Sequence, residues 1–136
     1  CYGREFGPDL EDVAARTSMS TTEVVARHSG LEYRVYMLGF VPGFAYMASV
    51  DPQLRLPRRA TPRERVPTGS VAIAGEQTGI YPAATPGGWH LIGRTPWTMF
   101  STRAAEPSRL QPGDRVRFVP VSPDEFEAIA ARECVQ

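Results

Sequence analysis

The chain has 136 residues with fifteen basic and fifteen acidic side chains, so its formal net charge is zero; this is enough for one domain with its own core and too little for two. The balanced charge argues against a nucleic-acid binder or a membrane-surface protein held by overall electrostatics, although a local basic patch stays open. No run approaches the roughly 18 apolar residues of a membrane-spanning helix and no basic-then-apolar leader opens the chain, so a cytoplasmic location is expected.

In chain order, the first element expected is a short amphipathic helix in PDLEDVAARTS, with Asp9 as its cap and Leu10, Val13 and Ala14 at helical spacing. A second follows in SMSTTEVVARHSG, where Ser20 and Glu23 form a capping box, Gly30 offers a stop and His28 falls in the last turn. From Tyr33 the pattern turns β-branched and aromatic, and strands are expected at about 33–40, 71–75, 79–83, 89–93, 97–101 and 115–121. Gln111-Pro112-Gly113-Asp114 suits a type II turn. A closing helix begins at Ser122-Pro123-Asp124-Glu125, with Phe126, Ile129 and Ala130 as its buried stripe. Many short strands with close turns indicate a mainly β barrel or sandwich.

Chemistry is narrowed by composition. All fifteen basic residues are arginine, which closes Walker-type phosphate loops, Schiff bases and lysine general bases to this chain. Arginine clamps carboxylate or phosphate through paired donors but is no base near neutral pH. Cys1 and Cys134 lie at opposite ends without CxxC spacing or neighbouring histidines, so neither a zinc site nor a redox pair is signalled, and no metal site is expected. The two imidazoles, His28 and His90, are each either packed residues or candidate acids and bases.

Three segments stand out. LRLPRRATPRERVP places Arg55, Arg58, Arg59, Arg63 and Arg65 against one acid, Glu64, and reads as an extended loop that is either solvated or an anion clamp. GFVPGFAYM gathers Phe40, Phe44 and Tyr46 around a Pro-Gly turn, either as a plug or as an exposed partner-binding patch. The stretch 66–96 is dense in glycine and proline; half of these suit corners, and the rest, as in SVAIAG, leave main chain bare for a ligand or a second polypeptide.

EYRVYMLGFVPGFAYM, LPRRATPRERVPTGSVAIAGEQTGIYP and TPGGWHLIGRTP resemble the family that includes the KipI kinase inhibitor, the B subunit of 5-oxoprolinase, proteins labelled allophanate hydrolase subunit 1, and the matching part of the urea amidolyase carboxyltransferase domain. Departures are Met47-Ala48-Ser49-Val50, where glycines and leucine are more usual, and His90, at a variable position often held by glutamine. The resemblance implies a single cyclophilin-like β-barrel over residues 1–136 with short flanking helices, the C-terminal part of a longer chain whose α/β N-terminal domain lies upstream; the opening on Cys1 fits that expectation.

By the same resemblance the chain is expected to be the B subunit of an ATP-dependent 5-oxoprolinase, opening 5-oxoproline to glutamate together with a KipA-like protein and a LamB/YcsF-like protein. His28 and Arg63 are then the catalytic candidates, Arg58, Gln77, Thr78, Tyr81 and Arg94 the substrate contacts, and Phe40, Phe44 and Tyr46 the partner contacts. ATP is expected in the assembled complex. The alternatives are a KipI-type module that inhibits a sensor histidine kinase and an allophanate hydrolase-related protein; the latter ranks lower because a serine–lysine amidase site needs lysine.

Overall fold

A computed structural model describes residues 1–135. Two short helices, α1 (Leu10–Thr17) and α2 (Thr21–Ser29), precede eight strands: β1 (Glu32–Leu38), β2 (Ala45–Ala48), β3 (Arg63–Val66), β4 (Ser70–Ala74), β5 (Gln77–Ile80), β6 (Thr85–Gly87), β7 (His90–Arg94) and β8 (Arg115–Arg117). A 3-10 turn (Pro52–Leu54) leads into the arginine-rich segment, and α3 (Pro123–Val135) follows the last strand. Six strands form one antiparallel sheet in the order β7-β4-β5-β2-β1-β8, while β3 and β6 make a separate ribbon. The fold is mainly β with flanking helices, as expected; the sheet curls as a half-barrel, and β7 and β8 remain its opposite edges among the described residues. Bulges between Val35 and Met37 and between Val71 and Ala72 strengthen the curl.

The local signals explain most elements. Ser20 accepts the Glu23 amide at 3.1 Å, and α3 carries a full capping box, with Ser122 and Glu125 exchanging bonds of 3.1 and 2.9 Å. Gly113 has φ +95° in the predicted turn, closed by Asp114 N–H to Gln111 O at 3.0 Å. Asp9 departs from expectation, since it precedes α1 but makes no side-chain cap. Strands β2, β3 and β6 went unread because they are short, and β3 is charged while β6 holds a proline. The strand expected at 97–101 is a loop with one isolated bridge, Phe100 to Ser108.

Both faces of the sheet are covered over β4, β5 and β7, while β1 and β8 leave one face exposed. On one, Val13 and Val24 of the helices pack with Tyr33, Val35, Met47, Ile73 and Ile92. On the other, Phe44, Tyr81 and Trp89 pack with Ala72, Ala74 and Leu91. Alternation along β4 sends Val71 and Ile73 to the first face and the alanines to the second, where their small size admits three large rings. Glycines complete the fit: a Cβ on Gly79 would lie 2.7 Å from Phe44 Cζ, and one on Gly87 would overlap the Tyr81 hydroxyl. The bare main chain expected to await a ligand or a second polypeptide is thus occupied by the protein's own aromatic rings at Gly79 and Gly87, whereas the face of Gly75 is open. Each ring buries about 150–250 Å², worth several kcal/mol at about 25 cal/mol per Å².

His28 lies at the centre of the first face, fully buried between the Tyr33 and Phe118 rings. Thr78 Oγ1 donates to Ala72 O at 2.9 Å, so it accepts from His28 Nε2–H at 2.9 Å, and His28 Nδ1 accepts from Tyr2 O–H at 2.6 Å. Burial pushes the imidazole down to about 3, and it is neutral at physiological pH.

Two outcomes follow from this packing. Gly87→Ala is expected to destabilise the fold by about 1–3 kcal/mol through overpacking against Tyr81, read from urea unfolding midpoints. The unfolded chain protonates His28 near 6.5 whereas the folded one resists until about 3. Stability therefore falls as pH drops from about 6.5 toward 3, with a slope approaching about 1.4 kcal/mol per pH unit. His28→Gln should flatten that slope in unfolding curves taken from pH 7.5 to 4.5.

Candidate functional site

A cavity of about 310 Å³ opens where the β4–β5 turn, Gly75-Glu76, meets the segment before β3 and the start of β7. Its walls are Pro57, Arg58, Glu76, Gln77 and Trp89, with the main chain of Ala74 and Gly75 behind them. A volume of this order suits a small molecule. Arg58 is exposed and forms no ion pair among the described residues, whereas Arg55, three residues earlier, is paired with Glu76 at 3.3 Å. Gln77 donates its amide N–H to the Tyr36 hydroxyl, which leaves its Oε1 as an acceptor. Trp89 is buried and supplies an aromatic wall beside these polar groups. The arrangement pairs a guanidinium donor with an amide acceptor beside an aromatic surface, a combination fitted to a small planar molecule carrying both an anionic group and an N–H.

Of the residues singled out from the sequence, Arg58 and Gln77 meet in this cavity. The others are placed elsewhere. Arg63 grips Asp9 through two bonds of 2.7 and 2.8 Å, and Asp9 also accepts the Leu91 amide at 2.7 Å with Arg59 at 4.0 Å. Burial works to raise the Asp9 carboxyl, but the Arg63 and Leu91 bonds and the Arg63 and Arg59 charges outweigh it and hold it below the usual carboxylate range. Arg63 is therefore half of an internal ion pair, not a free guanidinium. His28 and Thr78 are enclosed in the core with their polar atoms bonded to each other, away from any opening.

Tyr81 is buried against Gly87, Phe40 and Phe44. Arg94 lies at a second, apolar cavity of about 400 Å³ between β7, β8 and α3, where it bonds Glu5 O at 3.0 Å and covers the Phe6 ring. The aromatic turn divides: Phe44 plugs the core, Tyr46 is half-buried beside it, and Phe40 stands out, 59% exposed with φ +66°. The sequence reading missed Trp89 and Glu76 as walls of the cavity and Asp9 as the partner of Arg63; Trp89 after Gly87-Gly88 was visible only as a strand residue. No group of three metal-binding side chains is found among the described residues. The side chain of Cys134 lies outside the described residues, while Cys1 is a free thiol.

Comparison with known proteins places this architecture. Residues 1–110 match the family model "Carboxyltransferase domain, subdomain C and D". The chain is 56% identical over 119 residues to the 5-oxoprolinase B subunit of Escherichia coli O157:H7, covering 88% of this chain and 55% of that protein. It is 49% identical over 128 residues to the 5-oxoprolinase B subunit of Bacillus subtilis, covering 94% and 53%. Among solved structures, the Pyrococcus horikoshii protein PH0987 superposes with a TM-score of 0.89 at 50% identity, over 93% of this chain and 58% of that one. The chain spans about half the length of the relatives it matches. This chain belongs to the carboxyltransferase domain, subdomain C and D, family.

Proposed function

We propose that this domain is the substrate-holding barrel of a 5-oxoprolinase B subunit, and that the Arg58–Gln77–Trp89 cavity takes 5-oxoproline. The observation that carries this reading is the pairing of an unengaged guanidinium and a free amide oxygen over one aromatic wall. Arg58 binds the substrate carboxylate, Gln77 Oε1 accepts the lactam N–H, and Trp89 covers the ring face. The high identity to proteins named as 5-oxoprolinase B subunits supports it.

Lactam opening needs more than this domain holds. His28 is neutral, enclosed and bonded at both nitrogens, so no imidazole is free to activate water from that position. A Walker-type cradle for a nucleotide's phosphates is closed to this chain, which lacks lysine, and the faces of Gly79 and Gly87 are filled by Phe44, Trp89 and Tyr81. ATP and the hydrolytic groups belong, in this reading, to the rest of a cytoplasmic complex with a KipA-like partner and a LamB/YcsF-like partner. No helix among the described residues is long and apolar enough to cross a membrane.

The test is to co-express the full-length protein with both partners and measure ATP-dependent glutamate release from 5-oxoproline. Release is expected; an assembled complex that releases none overturns the reading. A hydrogen bond to a charged group contributes about 1.5–3 kcal/mol, so Arg58→Ala should raise KM for 5-oxoproline about 10- to 100-fold without dissociating the complex. A second reading, a KipI-type inhibitor of a sensor histidine kinase, is favoured by one feature: Phe40 with Tyr36 and Met37 leaves an exposed apolar strip on the β1–β2 hairpin. In that case Phe40→Ala should abolish kinase inhibition, whereas unchanged inhibition removes this reading.

A further inference from the structure

The four residues 56–59 run beside the β4–β5 turn and residues 88–90, and three main-chain groups tie them down. Leu56 O accepts from Gly75 N–H at 2.6 Å, Pro57 O accepts from His90 Nε2–H at 2.8 Å, and Arg59 N–H donates to Gly88 O at 2.7 Å. The Pro57 carbonyl belongs to the peptide plane entering Arg58, and the Arg59 N–H to the plane leaving it. With both planes held, the direction of the Arg58 Cα–Cβ bond is set. The holding residues, 88 and 90, flank Trp89, so the same ties that aim Arg58 also fix the wall it works against.

Among these ties His90 supplies the only side chain. A carbonyl only accepts, so His90 carries its proton on Nε2, and Nδ1 is left buried with no partner. His90 itself is 3% exposed. An apolar residue would fill this space without an unpaired polar atom, so the position is explained by what Nε2 does and not by packing.

We infer that His90 is a positioning residue for Arg58, acting through the Pro57 carbonyl to set the anion-binding end of the cavity. The inference rests on the reading of that cavity as the substrate site. Loss of the tie frees the Pro57–Arg58 peptide plane to turn, and the guanidinium then spends less time opposite Gln77 and Trp89. Ground-state binding weakens while the later chemistry, supplied from elsewhere in the complex, is untouched.

The experiment uses the assembled complex built on the full-length protein, with 5-oxoproline as the probe. His90→Leu is expected to raise KM about five- to tenfold with kcat changed less than twofold, the pattern of lost uniform binding. His90→Gln, whose amide N–H can reach the same carbonyl, should return KM to within about twofold of the parent. In an Arg58→Ala background His90→Leu should add nothing, because its whole effect passes through Arg58. If His90→Leu lacks a cooperative thermal transition, His90→Asn, too short to reach Pro57, replaces it. A folded His90→Leu or His90→Asn variant with the parent's KM, or one whose penalty persists undiminished in the Arg58→Ala background, overturns the inference. The two readings separate cleanly: an active complex in which Arg58→Ala leaves KM unchanged removes the cavity assignment and this inference together. A KM raised by Arg58→Ala but not by His90→Leu removes this inference alone.

Discussion

Burying a carboxylate is tolerated only when its oxygens are filled, and Asp9 fills them from three separate parts of the chain. Arg63 comes from the ribbon, the Leu91 amide from β7, and Arg59 from the segment that carries the cavity's guanidinium. A two-stranded ribbon as short as β3–β6 is marginal alone. Its place against the main sheet follows from Asp9 demanding Arg63 and from Val66 reaching the aromatic cluster. The cavity inherits its shape from the same demand, since residues 57–59 must run from the 3-10 turn to β3 along the start of β7.

The aromatic face supplies the complementary constraint. Phe44 stands edge-on to Tyr46, Tyr81 and Trp89 at centroid separations of 4.9, 5.5 and 5.5 Å, a geometry favoured by ring quadrupoles. Rings so close require small neighbours, and Ala72, Ala74, Gly79 and Gly87 provide them. Trp89 is thereby rigid, and the cavity has a wall whose position does not depend on a ligand.

Much of this architecture was legible because it rests on local rules. Caps at Ser20 and Ser122, the turn at Gly113 and the β-branched run of β1 each carry their own signal. The glycine-rich stretch was legible only in part because a glycine beside open space and one beside a distant aromatic look alike in one dimension; only the fold shows that Phe44 reaches Gly79 while the face of Gly75 stays open. Of the candidate site residues, Arg58 and Gln77, singled out by motif density and side-chain chemistry, line the cavity. Arg63 was drawn in with them because its consumption by Asp9, 54 residues away, leaves no trace in the surrounding sequence. The enclosure of His28 was illegible for a related reason: a helix end beside valines does not reveal that Tyr2 and Thr78 will close over both nitrogens.

That closure has an arithmetic of its own. Thr78 owns one hydroxyl proton and spends it on Ala72, which dictates the imidazole's tautomer, which in turn dictates which way the Tyr2 hydroxyl faces. The three side chains form a one-way street from the first strand-like residue of the chain to the centre of the sheet. Deleting the histidine strands the Tyr2 hydroxyl proton and a Thr78 lone pair, and deleting Thr78 strands the imidazole N–H and the Ala72 carbonyl, whereas deleting Tyr2 strands one nitrogen alone, so the line is less forgiving at its buried members than at its outer end.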